Sequence, residues 1–302
     1  MSRLRLAVTG SQGQVARSLI DRADAAGVEI VTLARPDFDL TKPESIEEAV
    51  RSARPQVVVS AAAHTGVDLA ESEPEIAYLI NATGAGLLAR AAAAIQVPVV
   101  HLSTDYVFDG LMDRPYREDD ATGPNGVYGM SKLAGEQAVA AANPNHAILR
   151  TAWVYSPFGK NFVRTMLTAA KIRPLLKVVG DQTGNPTSAL DIADGVIAVA
   201  RNLVIRQDQR DLRGVFHMTG AGSATWATFA ETIFDLSKAA GGPFAEIKAI
   251  TTAEYPTPAK RPGNSRLDCD RLQRLHSVRL PDWRASTGDC ISRLVPSEFA
   301  RA

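Results

Sequence analysis

The chain has almost no cysteine: Cys269 and Cys290 are the only two thiols in 302 residues. Two cysteines make no disulfide framework, so they are expected to be small buried groups in a reducing cytoplasm. Net charge is also missing, since 33 Lys and Arg offset 33 Asp and Glu. With no excess of either sign, nucleic acid and anionic membranes are excluded as expected partners. No long apolar run opens the chain, because residues 4–9 give way at once to Gly10. That run is too short for a secretory signal or a bilayer span. There is no internal repeat, and no tight carboxylate cluster that would call for a metal. What is present is ordinary globular material, 45% hydrophobic, enough for a large core in one or two domains.

Apolar periodicity alternates through the first half. Buried-strand signals at 4–9, 29–34, 57–62, 98–103 and 147–150 are separated by Ala-rich amphipathic stretches at 14–26, 43–52, 74–95 and 128–142. Repeated strand–helix units predict a parallel sheet covered on both faces. Right-handed crossovers then give an α/β, Rossmann-type doubly wound fold. A nucleotide-binding domain is expected over residues 1–150. Residues 151–302 are less regular, with helices at 161–171, 189–201 and 225–240 and strands at 177–179, 214–218 and 246–251. They are expected to form mainly a smaller substrate-binding α/β region, with some segments returning to the first sheet. The Pro-rich stretch from Tyr255 to Gly263 can be neither helix nor central strand and reads as an ordered loop over a site.

Gly10, Ser11, Gln12, Gly13, Gln14 and Val15 leave a predicted strand and open a predicted helix. Gly10 suits a tight turn and Gly13 a close approach of backbone to a pyrophosphate, while the helix start offers free N–H groups. Arg35 at the end of the second strand would pair with a ribose 2′-phosphate. Asp39 with Leu40 would hold the adenine edge. Ala61, Ala62, Ala63 and Thr65 follow the third strand, where small residues leave room for ribose and nicotinamide. NADPH or NADH is the expected cofactor.

Tyr128 and Lys132 stand four residues apart at the start of a predicted helix, so they share a face. A free tyrosine titrates near pH 10, and a neighbouring ammonium is expected to bring the phenol down into proton-transfer range. Thr104 lies about 25 residues upstream, one strand-to-helix unit away, and can bond a substrate oxygen or Tyr128. Thr104, Tyr128 and Lys132 together resemble the catalytic trio of the extended short-chain dehydrogenase/reductase family. The resemblance narrows on six segments: the octapeptide from Ser103 to Gly110, the run from Ala62 to Glu71, Arg150 to Tyr155, Asn161 to Val163, Asp181 to Thr187, and Arg261 to Asp268. These are similar to dTDP-4-dehydrorhamnose reductases, with His64 and Gly66 in place of that family's usual Tyr and Ala.

The resemblance implies hydride delivery from the cofactor to the C4 ketone of a dTDP-4-dehydro-6-deoxy-L-hexose. Tyr128 would supply the proton, Lys132 would anchor the nicotinamide ribose, and Thr104 would tune the bond at the reacting oxygen. Thr65, Val67, Thr104, Asp105, Tyr128 and Trp153 would line the dTDP-sugar pocket, with Trp153 stacked on thymine. Arg261, Asn264 and Arg266 would meet diphosphate or sugar. A homodimer is the expected assembly. A dehydratase or epimerase of the same fold is the nearest rival, but dehydratases carry Glu where this chain has Tyr106. A dinucleotide-binding regulatory subunit, such as the methionine adenosyltransferase beta subunit, is the rival outside enzymes.

Overall fold

The computed structural model describes residues 3–300. Six parallel strands form one sheet in the order Gly214–His217, His146–Thr151, Val99–Thr104, Val57–Ser60, Leu4–Thr9, Val28–Leu33. Val57, Val58, Val59, Val99 and Val100 have no exposed surface, because helices cover both faces. Each such valine contributes about 2 kcal/mol on burial. One cover packs Gln14–Arg22 and Ala189–Ile205 on the sheet through Leu19, Ile192 and Val196. The other packs Pro43–Ala53 and Ala85–Ala94 through Ile46, Val50, Leu88 and Ala92. The sheet order reverses direction of growth between the first and third strands, and ligands of open α/β sheets bind at that switch point.

A second apolar cluster gathers Tyr155, Val163, Leu167, Phe229, Ile233, Trp283 and Ile291. It lies beside a parallel pair, Leu175–Val179 with Glu246–Ile250. Ala189–Ile205 and Gly214–His217 belong instead to the first cluster and the main sheet. Helix Pro74–Ala94 is long and apolar enough, by length and composition, to cross a membrane. Here it is a core helix whose Leu88, Ala89 and Ala92 are buried. It carries a π-helical turn, Leu79–Gly84. A Cβ at Gly84 would stand 2.7 Å from the Leu40 carbonyl oxygen, so only glycine lets this turn meet the loop there.

Candidate active site

The first strand ends on Thr9, whose hydroxyl accepts the N–H groups of Ala61 and Ala62, each at 2.9 Å. This ties the tips of the first and third strands together and lays Ala61, Ala62 and Ala63 beside the glycine turn. Gly10 has φ +85°, a left-handed conformation strained for any side chain. Its N–H donates to the Leu33 carbonyl at 2.7 Å. Gly13 caps the helix Gln14–Arg22 without a side-chain bond, and a Cβ on it would meet nothing within 4 Å. Free N–H groups facing open space make an anion cradle. Ser11 and Gln12 lie on the outer side of this turn, Ser11 partly buried and Gln12 exposed. Val15 packs inward on the core. The Gln14 side-chain amide donates to the Val154 carbonyl at 3.3 Å and accepts Ser156 Oγ at 2.8 Å, which leaves its backbone N–H for the cradle.

Gly10, Arg35, Asp39, Leu40, Ala62 and Ala63 line one cavity of about 180 Å³, with Leu33, Ala34, Phe38 and Ile80 completing it. Arg35 pairs with Asp39 at 2.9 Å while staying 76% exposed, free to turn toward a ligand. Asp39 is less free than expected. Its carboxylate accepts the Thr41 N–H at 3.0 Å and hydroxyl at 2.8 Å. Those bonds, the backbone one foremost, hold it below the ordinary carboxylate range.

Helix Val127–Ala142 brings Tyr128 and Lys132 to the end of strand Val99–Thr104 through two glycine contacts. A Cβ at Gly129 would sit 2.2 Å from the Tyr106 carbonyl oxygen, and one at Gly135 would sit 2.0 Å from that of Asn81. Asn81, 1% exposed, clamps the site. It accepts the His64 N–H at 2.8 Å and donates to the His64 carbonyl at 3.1 Å and to Ser131 Oγ at 3.0 Å. The loop bearing Thr65, itself exposed, is thereby pinned to helix Val127–Ala142.

The Tyr128 phenol corrects a sequence expectation. It is pushed up, to about 12, mainly by burial, with the Thr104 hydrogen bond offsetting part and the Asp105 charge adding to it. Lys132 does not bring it down, for its ammonium donates to the Leu102 carbonyl at 2.7 Å. Lys132 is itself pushed down to about 8 by burial. At neutral pH the phenol therefore holds its proton, as a proton donor must. Thr104 joins two groups: it accepts the Tyr106 N–H at 3.2 Å and donates to Asp105 Oδ1 at 2.9 Å. Asp105, 2% exposed, is pushed up to about 6 by burial. Tyr106 packs edge-on against Tyr128 with centroids 5.5 Å apart.

Around this centre lie the residues assigned to the sugar nucleotide. Val67 opens the short helix Val67–Ser72 and is partly buried. Trp153, at φ +46°, stacks on Trp226 with centroids 3.6 Å apart and 7° between planes. One indole face is therefore covered by protein. Arg261 bonds Asp68 in a forked pair, Nη2 to Oδ2 at 2.9 Å and Nη1 to Oδ1 at 3.3 Å. The pair moors the Pro-rich loop to helix Val67–Ser72. Asn264 is not a free ligand. Its amide donates to the Met112 and Arg114 carbonyls at 2.7 and 2.8 Å and accepts Arg266 Nε at 2.8 Å. It holds the loop at 110–114 in place, a bonding pattern invisible in sequence. Asn81, Tyr106 and Trp226 were missed as well. For Tyr106 and Trp226 the neighbouring motifs gave a signal, and for Asn81 none did.

A six-stranded parallel sheet, with a glycine turn at its switch point and Lys132 bonded to its fourth strand, is the construction of the extended short-chain dehydrogenases/reductases. A family model described as the RmlD substrate binding domain matches residues 4–295. A protein of Sinorhizobium fredii named dTDP-4-dehydrorhamnose reductase is 52% identical over 94% of this chain and 95% of its own length. The chain belongs to the dTDP-4-dehydrorhamnose reductase family. Among solved structures, a Clostridium acetobutylicum member superposes with TM-score 0.88 at 37% identity, covering 96% of this chain and 99% of its own. A Bacillus anthracis member, described in complex with NADP, superposes with TM-score 0.88 at 31% identity, over 96% and 99%.

Proposed function

We propose that the chain catalyses the NADPH- or NADH-dependent reduction of the C4 ketone of dTDP-4-dehydro-L-rhamnose. The product is dTDP-L-rhamnose, the last step of dTDP-rhamnose synthesis. One observation carries the reading: Tyr128 and Lys132 share a face of helix Val127–Ala142, and the Lys132 ammonium reaches the Leu102 carbonyl at 2.7 Å on the strand that ends at Thr104. The Bacillus anthracis relative is described with NADP, and the left-handed Gly10, the uncapped helix start and the 180 Å³ cavity fit that class of dinucleotide. When bound, the nicotinamide supplies the hydride.

The rest falls to the chain's own groups. Backbone N–H groups from Ser11 to Val15 hold the pyrophosphate, and Lys132 binds a ribose hydroxyl. Tyr128 gives its proton to the ketone oxygen as negative charge develops there. Trp153 offers its uncovered side to the base, while Val67, Asp105 and Arg261 border the sugar diphosphate. Elimination would need a second acid after Asp105. Tyr106 occupies that place, its phenol held well above its ordinary value by burial. Both cysteines are free thiols, which suits the cytoplasm, where we place the reaction.

Net loss of absorbance at 340 nm with NADPH and dTDP-4-dehydrorhamnose supports this reading. Cofactor binding with no net consumption favours a regulatory subunit instead. Arg35→Ala separates the two cofactors. Loss of one exposed arginine–phosphate bond raises KM for NADPH about tenfold and leaves KM for NADH in place. Equal changes for both would remove Arg35 from the 2′-phosphate site.

A further inference from the structure

Beneath the catalytic helix lies a charged group that the proposed chemistry leaves unused. Glu136, 4% exposed, follows Lys132 by one helical turn on the same face. Arg150, on strand His146–Thr151, grips it with Nε to Oε1 at 2.9 Å and Nη2 to Oε2 at 2.7 Å. Ser103, next to Thr104, donates its hydroxyl to the same carboxylate at 2.5 Å. Arg150 is 4% exposed and its guanidinium lies 5.0 Å over the Phe108 ring. A buried ion pair gains little over an apolar pair of the same shape, so stability alone gives no reason for one here.

Lys132 does give a reason. It is 3% exposed, and Leu102 contributes only a carbonyl oxygen. The titratable groups around it are few. His101, on the same strand as Leu102, is kept neutral by burial and then by the Lys132 charge. Tyr128 stays a neutral phenol. Arg150 is a second cation on the neighbouring strand. Glu136 is the negative group, one helical turn from Lys132 and paired with Arg150. We propose that Glu136 is a positioning residue for the reaction: it keeps Lys132 protonated in the buried site and fixes it against the end of the fourth strand. Burial draws Lys132 down to about 8, and Glu136 is the charge that opposes this fall.

The inference rests on the reductase reading for its effect on turnover but not for its test. Lys132 is an ammonium below its titration point and loses its charge as pH rises through it. Binding that relies on this cation weakens on the alkaline side. In the wild type, NADPH affinity, read from the fluorescence of the bound cofactor without sugar, weakens near pH 8. In Glu136→Gln, the anion one turn from Lys132 is gone and the Arg150 charge stands unopposed, and this limb moves down by about one pH unit or more. That variant leaves a buried guanidinium unpaired, so the double variant Glu136→Gln with Arg150→Met provides the folded control. Its limb falls between those of the wild type and the single variant. A folded double variant whose limb coincides with the wild type would overturn the proposal and leave Glu136 a packing residue. The same ordering is expected in the pH dependence of kcat. Absence of turnover in the wild type would strike the reductase reading alone, because the affinity series is read without substrate.

Discussion

Tyr128→Phe loses about a thousand-fold in kcat, within the range for removing one general acid, and binds NADPH as the wild type does. The phenol packs edge-on against the ring of Tyr106, and on the proposed reading its proton is the one given to the reacting oxygen. Phenylalanine keeps the edge-to-face packing and removes only that proton. Cofactor affinity is set elsewhere, at the Gly10 turn and Lys132. Steady-state kinetics with fluorescence titration of NADPH check both halves. A variant with near-normal kcat would strip the phenol of its role.

Gly135→Ala destabilises the protein by about 2 kcal/mol, net of the small helix-propensity gain. The new methyl would stand 2.0 Å from the Asn81 carbonyl oxygen, and backbone cannot step aside as a side-chain tip can. Helix Val127–Ala142 must lift from the turn Leu79–Gly84, straining the bonds from Asn81 to His64 and Ser131. Tm falls by about 5 °C, and kcat falls with it because Tyr128 and Lys132 ride on the displaced helix. Gly13→Ala is the control for stability, since its added methyl meets nothing within 4 Å. Thermal melts of the two variants decide the matter; an unchanged Tm for Gly135→Ala would mean the helices separate freely.

The doubly wound sheet was readable because parallel strands buried on both faces are continuous apolar runs, such as Val57, Val58 and Val59. Helix Val67–Ser72 was not readable, being too short to show a period. Trp283–Leu294 was missed because it buries Ser286, Thr287 and Cys290 alongside few large apolar residues. At the site, spacing placed Tyr128 and Lys132 on one face. Spacing cannot tell where an ammonium points, and Lys132 turns to the Leu102 carbonyl rather than lowering the phenol. Asn264 was read as a ligand from its motif, but the bonds that use up its amide come from the distant residues Met112 and Arg114. Glu136 stands at helical spacing from Lys132, but its partner Arg150 is joined to it only by folding.

The central claim is that Tyr128 protonates the oxygen of a sugar ketone at the carbon that receives hydride. NADPH carrying deuterium at both positions of nicotinamide C4, incubated with dTDP-4-dehydrorhamnose, tests it directly through NMR of the product. One deuterium at C4 of a dTDP-rhamnose product is the outcome expected. A product without deuterium, or with it at another ring carbon, would contradict the account.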